Sequence, residues 1–271
     1  GRNRGIKMIF DTHAHYDDGA FDTDREDLLL SLPRQGIEYV VNVCSAIDTV
    51  DKTINLMETY SHVYGAIGIH PECVMDLNEE RVTWLIEKAK HPKTVAIGEI
   101  GLDYYWETVA RDVQKKWFLR QIDIARELKL PLVVHSRDAA QDTLELIKHA
   151  RADEIGGIIH CFGYGVEQAK QYLSMGFYLG IGGVVTFNNG RKLKEVVTYA
   201  PLEQLVIETD CPYLSPVPFR GKRNSSLNIP YIVKEIAGLK NIDEETVIRV
   251  TSENAKKVYF NRGMDREVIH G

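Results

Sequence analysis

Two histidines close the first apolar run of the chain and could bind one metal ion together. His13 and His15 follow the apolar segment 8–10 within the sequence Asp-Thr-His-Ala-His. Side chains two residues apart in an extended segment point to the same side. A histidine pair of this kind is equally compatible with two unrelated polar residues, so a metal site requires further ligands.

Other residues of metal-ligand type end apolar runs elsewhere in the chain: Glu99, His135, His160 and Asp210. The C-terminal ends of the strands of an α/β barrel converge on one face, so residues far apart in sequence can meet there. The intervals from His15 through these residues correspond to three, one, one and two βα units, which assigns the ligands to strands 1, 4, 5, 6 and 8. The spacing therefore predicts one shared metal centre.

The donor types restrict the metal chemistry of this centre. Nitrogen and carboxylate ligands without thiolates suit Zn²⁺ or Mn²⁺, and also Mg²⁺ if water completes the shell. Six ligands exceed what one tetrahedral ion needs, and a carboxylate such as Glu99 can bridge two ions. We therefore expect two divalent metal ions, which together would activate water and polarise a phosphoryl or carbonyl oxygen.

The elements that must position these residues alternate along the chain. Short apolar runs predict strands over 8–10, 39–43, 64–69, 95–97, 132–134, 157–159, 177–181 and 205–207. Stretches of helical period predict helices over 25–32, 49–60, 79–89, 113–128, 141–150, 166–175, 192–199 and 229–239. The pattern predicts an α/β fold: a single (β/α)₈ TIM-type barrel over 8–262, with an additional C-terminal helix over 244–260. An open doubly wound sheet is the alternative.

Composition excludes several classes of protein. The net charge of −6 argues against non-specific coating of nucleic acid, which needs many lysines and arginines on phosphates. The four widely spaced cysteines suggest neither a disulfide framework nor a thiolate zinc site. No apolar run approaches the length of a membrane helix, so we predict a cytoplasmic protein that does not associate with membranes. Residues 1–7 are expected to be a tag or a disordered N-terminus.

The chain resembles the TatD family of metal-dependent deoxyribonucleases, a branch of the amidohydrolase-like barrels. The segments that carry the resemblance are IFDTHAHYDD (9–18), GIHPE (68–72), AIGEIGLDYYW (96–106), PLVVHSRDA (131–139), GGIIHCFGY (156–164) and VIETDCPYLSPVPFRGKRN (206–224). The resemblance implies hydrolysis of phosphodiester bonds in DNA, as a 3′–5′ exonuclease acting on single strands or frayed ends. The implied partner is therefore a DNA substrate, and no stable protein partner is inferred.

The resemblance also implies roles for the ligand-type residues. His13, His15 and Asp210 would hold one ion, His135 and His160 the other, and Glu99 would bridge the two. Glu99 and Asp210 are the expected catalytic residues, with Asp210 orienting or deprotonating the attacking water. Asp11 and Glu208 each lie two residues before an expected ligand, so we expect them to fix the orientation of a histidine without binding metal.

Substrate contacts are expected around the mouth of the barrel. Arg220, Lys222 and Arg223 follow strand 8, where barrel loops often bind phosphate. His70 ends strand 3 and is expected to contact a phosphate or the leaving oxygen without binding metal. The aromatic segment Tyr104-Tyr105-Trp106 follows Glu99, and its rings could either stack on bases or pack beneath the loop.

Two other functions are compatible with the same residues. A metal-dependent ester or amide hydrolase, such as a D-aminoacyl-tRNA deacylase, could use the same centre, since transfer RNA also carries phosphates. A non-catalytic scaffold is the third alternative. It would have no physical need to gather six ligand side chains on one face, where they stay unpaired without metal.

Overall fold

The computed structural model describes residues 8–260, and its centre is a sheet of eight parallel strands. Each strand pairs with the next one along the chain, in the order β1 to β8. The strands are β1 (Ile9–Ala14), β2 (Ile37–Val43), β3 (Val63–Ile67), β4 (Thr94–Asp103), β5 (Leu132–Arg137), β6 (Gly157–Ile159), β7 (Tyr178–Ile181) and β8 (Leu205–Ile207). All eight predicted strands are confirmed.

A helix follows each strand and packs on the outside of the sheet. These helices are α1 (Arg25–Ser31), α2 (Ile47–Thr59), α3 (Glu79–Ala89), α4 (Arg111–Leu128), α5 (Ala140–His149), α6 (Val166–Ser174), α7 (Arg191–Tyr199) and α8 (Ile229–Lys240). The additional helix α9 (Glu244–Tyr259) is the predicted C-terminal helix. The fold class, a (β/α)₈ barrel with one extra helix, is therefore confirmed.

The sheet closes because the ends of β1 and β8 are joined by backbone hydrogen bonds. The N–H of Asp210 donates to the carbonyl of His13 at 2.8 Å, and the N–H of His15 donates to the carbonyl of Cys211 at 2.9 Å. The Thr12 hydroxyl adds a bond to the carbonyl of Ile207 at 2.9 Å. These contacts rule out the open doubly wound sheet, since such a sheet leaves its edge strands apart.

Three strands are longer than their apolar runs predict. β1, β4 and β5 continue through His13, Glu99 and His135, which therefore lie inside strands instead of directly after them. Backbone pairing with the neighbouring strand does not depend on an apolar side chain, so a ladder can continue after the hydrophobic pattern ends. The ligand-type residues are consequently held by regular sheet backbone.

The barrel interior below these residues is apolar. Val133, Ile158 and Val206 belong to one buried cluster, and each lies two residues before an inward-facing polar side chain. At the opposite end α9 contributes Tyr259 to the same cluster, and the Tyr259 hydroxyl donates to the carbonyl of Thr12 at 2.9 Å. Within residues 8–260 the interior is a packed core, so the ligand-type residues are approached from the mouth at the C-terminal strand ends.

Two sequence-based predictions concern the ends of the chain and its relation to membranes. Within residues 8–260, the structure has no helix that combines the length and the apolarity needed to cross a bilayer. Residues 1–7, predicted to be a tag or a disordered N-terminus, lie outside the described residues. The last two residues of the predicted domain 8–262 also lie outside them, so both boundaries remain predictions.

Candidate metal centre

The six predicted ligands come together at the C-terminal mouth of the barrel. Three of them lie within strands β1, β4 and β5. Two others directly follow β1 and β6, and Asp210 lies three residues after the end of β8. Side-chain contacts between 3.0 and 3.8 Å connect all six: His13, His15, Glu99, His135, His160 and Asp210. Sequence spacing alone therefore selected residues that the fold gathers into one cluster.

One half of the cluster combines His13 and His15, at the end of β1, with Asp210 in the segment that follows β8. The Nε2 atoms of His13 and His15 face each other at 3.2 Å. Asp210 Oδ1 lies 3.0 Å from His15 Nε2 and 3.5 Å from His13 Nε2. Two ring nitrogens and a carboxylate oxygen therefore converge on one point.

Glu99 lies between this half and the other. Its Oε2 atom is 3.5 Å from His13 Nε2 and 3.7 Å from His15 Nε2. Its Oε1 atom is 3.0 Å from His135 Nδ1 and 3.3 Å from His160 Nε2. Each carboxylate oxygen thus faces a different histidine pair, which is the arrangement required of a carboxylate that bridges two ions.

The chemistry of these donors fits divalent metal ions. His13 and Glu99 are almost fully buried, and His13 Nδ1 has no hydrogen-bond partner among residues 8–260. Burial alone would raise the pKa of Glu99, but the neighbouring histidines, His160 foremost, hold that pKa well below its usual range. Glu99 is therefore an anion at neutral pH, surrounded by imidazole nitrogens that can bind a cation.

Glu208 supports the centre in the way the sequence predicted. Its carboxylate is buried and accepts hydrogen bonds from His160 Nδ1 and from the backbone N–H of Cys161. With Nδ1 fixed as the donor, His160 Nε2 is free to bind metal. Gly180 in β7 leaves room for this carboxylate, because a Cβ atom there would lie 2.3 Å from Glu208 Oε1.

Asp11 has a different role from the one expected. Its carboxylate contacts no histidine side chain among the described residues. It accepts hydrogen bonds from the Thr209 hydroxyl and the Ser226 hydroxyl at 2.7 Å each, and from the Thr209 N–H at 3.1 Å. Asp11 therefore connects β1 to the segment after β8. Closure of the barrel brings the Thr209 and Ser226 hydroxyls within hydrogen-bond distance of its carboxylate.

Asp103 is a support residue that the sequence reasoning missed. Its Oδ2 atom lies 2.9 Å from His135 Nε2, and the residue is buried. Burial lowers the pKa of His135, but the hydrogen bonds to Asp103 and Glu99 outweigh it and raise that pKa to about 9. Strand alternation in β4 was the available signal, since Glu99 and Asp103 are four residues apart and face the same side.

His70 lies closer to the ligands than a pure substrate contact requires. Its ring centroid is 4.3 Å from that of His135, and its Nδ1 accepts the N–H of Glu72 at 3.0 Å. One ring nitrogen of His70 lies within 4.8 Å of ligand atoms of Glu99 and His135. The geometry thus admits His70 both as a substrate contact and as a further ligand.

The three predicted phosphate contacts of the rim differ in their surroundings. Arg220 is exposed and lies over the ring of Phe187 at 3.7 Å. Arg223 instead forms a bidentate pair with Asp24, with both N···O distances at 2.7 Å. Lys222 is exposed and contributes its carbonyl to the Ser215 hydroxyl. Arg220 is therefore the arginine of this loop best placed to bind an anion.

Comparison with known proteins identifies the family. The profile described as TatD related DNase matches residues 10–260. The chain belongs to this TatD family. A TatD-family relative from Bacillus subtilis, the metal-dependent hydrolase YabD, is 43% identical over 252 residues, which cover 93% of this chain and 99% of the relative. The protein is accordingly a metal-dependent hydrolase.

Other TatD relatives extend the comparison in sequence and in fold. The 3′-5′ ssDNA/RNA exonuclease TatD of a Rahnella strain is 30% identical over 257 residues, covering 93% of this chain and 98% of the relative. The crystal structure of the TatD homologue YjjV from Escherichia coli superposes with a TM-score of 0.87 at 24% identity, covering 94% of this chain and 99% of that one. That structural match confirms the barrel and its helices.

Proposed function

We propose that this protein hydrolyses phosphodiester bonds of DNA as a 3′–5′ exonuclease acting on single strands or frayed ends. The observation that carries the proposal is the position of Glu99, whose two oxygens face two separate groups of ligand-type side chains. A two-ion centre suits in-line displacement at a phosphoryl group, because both the attacking and the leaving oxygen need stabilisation.

We assign the ligand roles that the resemblance to the TatD family implies. His13, His15 and Asp210 would hold one ion, His135 and His160 the other, and Glu99 would contact both. When bound, Zn²⁺, Mn²⁺ or Mg²⁺ would supply Lewis acidity toward the phosphoryl oxygens and lower the pKa of water. Asp103 and Glu208 fix the rings of His135 and His160, so that one nitrogen of each stays directed at the centre.

Asp210 is the group we assign to the attacking water. Its side chain is 19% exposed, more than those of Glu99 (5%) and His160 (3%), so it faces the open mouth. Burial raises its pKa, but the hydrogen bond from His15 and the charge of His160 outweigh that effect and keep the pKa below its usual value. Asp210 is therefore ionised at neutral pH and can orient the water or accept its proton.

A nucleic-acid substrate is supported by the relative named as an ssDNA/RNA exonuclease and by the exposed guanidinium of Arg220 at the rim. Arginine binds phosphate through paired hydrogen bonds. One arginine beside a metal centre would position a strand without the broad basic surface that the net charge of −6 argues against.

A substrate panel tests the proposal. Single-stranded DNA, RNA and D-aminoacyl-tRNA are each incubated with the protein and Mg²⁺, Mn²⁺ or Zn²⁺, with DNA labelled at the 5′ end to follow stepwise loss from the 3′ end. We expect a ladder of shortened DNA. Cleavage of the aminoacyl ester alone, with intact DNA under every metal, would refute the proposal and assign the centre to ester hydrolysis.

The bridging role of Glu99 is tested in the same assay. Glu99→Ala should lower the bound metal below two ions per chain and abolish hydrolysis, while the far-ultraviolet circular dichroism stays unchanged. The matched control is Glu87→Ala in α3, since the Glu87 side chain is 67% exposed and pairs with Lys90. Robust hydrolysis by Glu99→Ala would eliminate the bridge.

A further inference from the structure

Two exposed aromatic rings and one arginine lie together on the surface beside the metal centre. We call Tyr105, Trp106 and Arg137 the aromatic platform. The Tyr105 and Trp106 side chains follow β4, with their ring centroids 4.7 Å apart and their planes at 84°. The guanidinium of Arg137, at the end of β5, lies 3.8 Å from the centroid of the Tyr105 ring.

The exposure of these rings separates them from their neighbour. Tyr105 is 51% and Trp106 59% exposed, whereas Tyr104 is buried. The Tyr104 hydroxyl donates to Asp142 at 2.7 Å, which accounts for its position beneath the loop. The segment therefore divides into one residue that packs beneath the loop and two residues whose rings face solvent. An exposed ring does not contribute the stabilisation that burial of its apolar surface would give.

The platform is fixed to the metal centre by short connections. Asp103 accepts the N–H of Tyr105 through Oδ1 at 3.0 Å and contacts His135 Nε2 through Oδ2 at 2.9 Å. Arg137 lies two residues after His135 and pairs with Asp103 in the β4–β5 register. A ligand on the platform would consequently keep a constant position relative to the two ions.

We infer that the platform binds an unpaired base of the nucleic-acid strand whose phosphodiester bond lies at the metal centre. The inference rests on the proposed function. A base in a duplex has both faces covered by its neighbours, whereas a base in a single strand or frayed end can leave the stack and lie against an aromatic ring. Arg137 adds a positive charge for the strand, and base stacking of this kind tolerates any sequence.

The platform thus explains why a single strand would be preferred at this site. A duplex end could place its phosphate at the metals, but it would leave the platform empty until its terminal bases separate. Selectivity for unpaired ends then arises from binding, and we expect its loss to appear in KM more than in kcat.

Steady-state kinetics with modified oligonucleotides test the inference. The substrates are a single-stranded DNA and a series in which one abasic nucleotide replaces each of the last four positions at the 3′ end in turn. Tyr105→Ala and Trp106→Ala should each raise KM for the natural strand about 10-fold, the scale expected for one stacked base. For one of the four abasic substrates, the KM of the parent protein should rise by the same factor. With that substrate, the two variants should have the same KM as the parent protein, because the base that the platform would bind is already missing.

Tyr199→Ala is the matched control. Tyr199 is the last residue of α7 and lies in a different βα unit from the platform. Its ring is 50% exposed and also carries a cation, with Lys170 Nζ 5.4 Å from the centroid. Because the control removes an equally exposed, cation-covered ring, it should leave KM at the value of the parent protein.

The outcomes separate the platform from the proposed function. If the parent protein cleaves the oligonucleotide and the Tyr105→Ala, Trp106→Ala double variant has an unchanged KM, the platform is refuted while the proposed function stands. An equal KM rise on every abasic strand would also refute it, since no base would then be recognised. A parent protein that cleaves no oligonucleotide under any metal would refute both.

Discussion

Addition of a single methyl group at Gly180 in β7 should damage the metal centre. A Cβ atom at this position would lie 2.3 Å from Glu208 Oε1, 3.0 Å from Glu208 Cδ and 3.3 Å from the Cα atom of His160. Ordinary contacts of this kind are longer than about 3.4 Å, so in Gly180→Ala the Glu208 carboxylate must move by about 1 Å. The backbone carbonyl of Gly180 also accepts the N–H of Phe162 at 3.1 Å, which limits how far the strand itself can shift.

The displaced carboxylate determines the size of the effect. Glu208 is buried and holds both His160 Nδ1 and the N–H of Cys161, so its movement breaks or lengthens hydrogen bonds to a charged group. Losing one such bond costs about 2 kcal/mol. Residues that orient a metal-bound histidine typically change metal affinity by about 10- to 100-fold when altered. Gly180→Ala should therefore weaken metal binding by about that factor and lower the free energy of unfolding by about 2 kcal/mol.

The assay measures both quantities on the same preparations. Chelator-treated protein is titrated with Mn²⁺ or Zn²⁺ by calorimetry, and urea unfolding gives the free energy. Gly238→Ala is the control, because a Cβ atom at this position of α8 meets no atom within 4 Å, and alanine stabilises a helix by about 0.5–1 kcal/mol relative to glycine. If Gly180→Ala binds metal as tightly as the parent and unfolds at the same urea concentration, Glu208 has space that the structure does not show, and the reasoning fails.

Three further predictions address barrel closure, pH dependence and the rim. Asp11→Ala leaves buried hydrogen-bond donors without an acceptor, so it should lower the free energy of unfolding, measured with urea, by about 2–4 kcal/mol. A decrease below about 1 kcal/mol would contradict the role of Asp11 in barrel closure. Burial, followed by the charge of His135, lowers the pKa of His70 to about 4. Between pH 6.5 and 4 the unfolded metal-free protein therefore binds more protons than the folded one, and the free energy of unfolding falls as the pH falls. His70→Asn should make this fall less steep, and parallel plots of unfolding free energy against pH for variant and parent would disprove the role of His70. Arg220→Ala should raise KM for single-stranded DNA and reduce the salt slope by about 1, whereas Arg249→Ala in α9 should change neither, and an unchanged slope would remove Arg220 from the phosphate contacts.

Local patterns in the sequence were sufficient for the fold and for the choice of ligand-type residues. Each apolar, β-branched run must be covered on both faces, and each helical stretch presents one apolar side, so their alternation specifies a parallel sheet covered by helices. The same patterns mark where runs end, which is how His160 and Asp210 could be recognised. The pattern was less successful at strand boundaries, since β4 continues to Asp103 although its apolar run was predicted to end at residue 97.

The hydrogen-bond partners of the residues around the metal centre could not be predicted from these local patterns. From identical spacing, the sequence predicted that Asp11 and Glu208 would each orient a histidine. Of the two, only Glu208 contacts a histidine ring. Arg223 was predicted to contact phosphate along with Arg220, and the fold pairs it with Asp24. Each partner lies on a distant segment, so its identity depends on the closing register of the barrel and on the path of the loops.

The sequence by itself determined the βα order, the barrel and the set of residues able to bind metal, because these depend on side-chain type and on the short-range periods of strands and helices. The tertiary structure decided which oxygen of Glu99 faces which histidine pair, that Asp103 supports His135, and that Tyr105 and Trp106 stay exposed while Tyr104 is buried. These features depend on contacts between side chains that lie on different strands and loops, and such side chains meet only when the whole barrel is assembled.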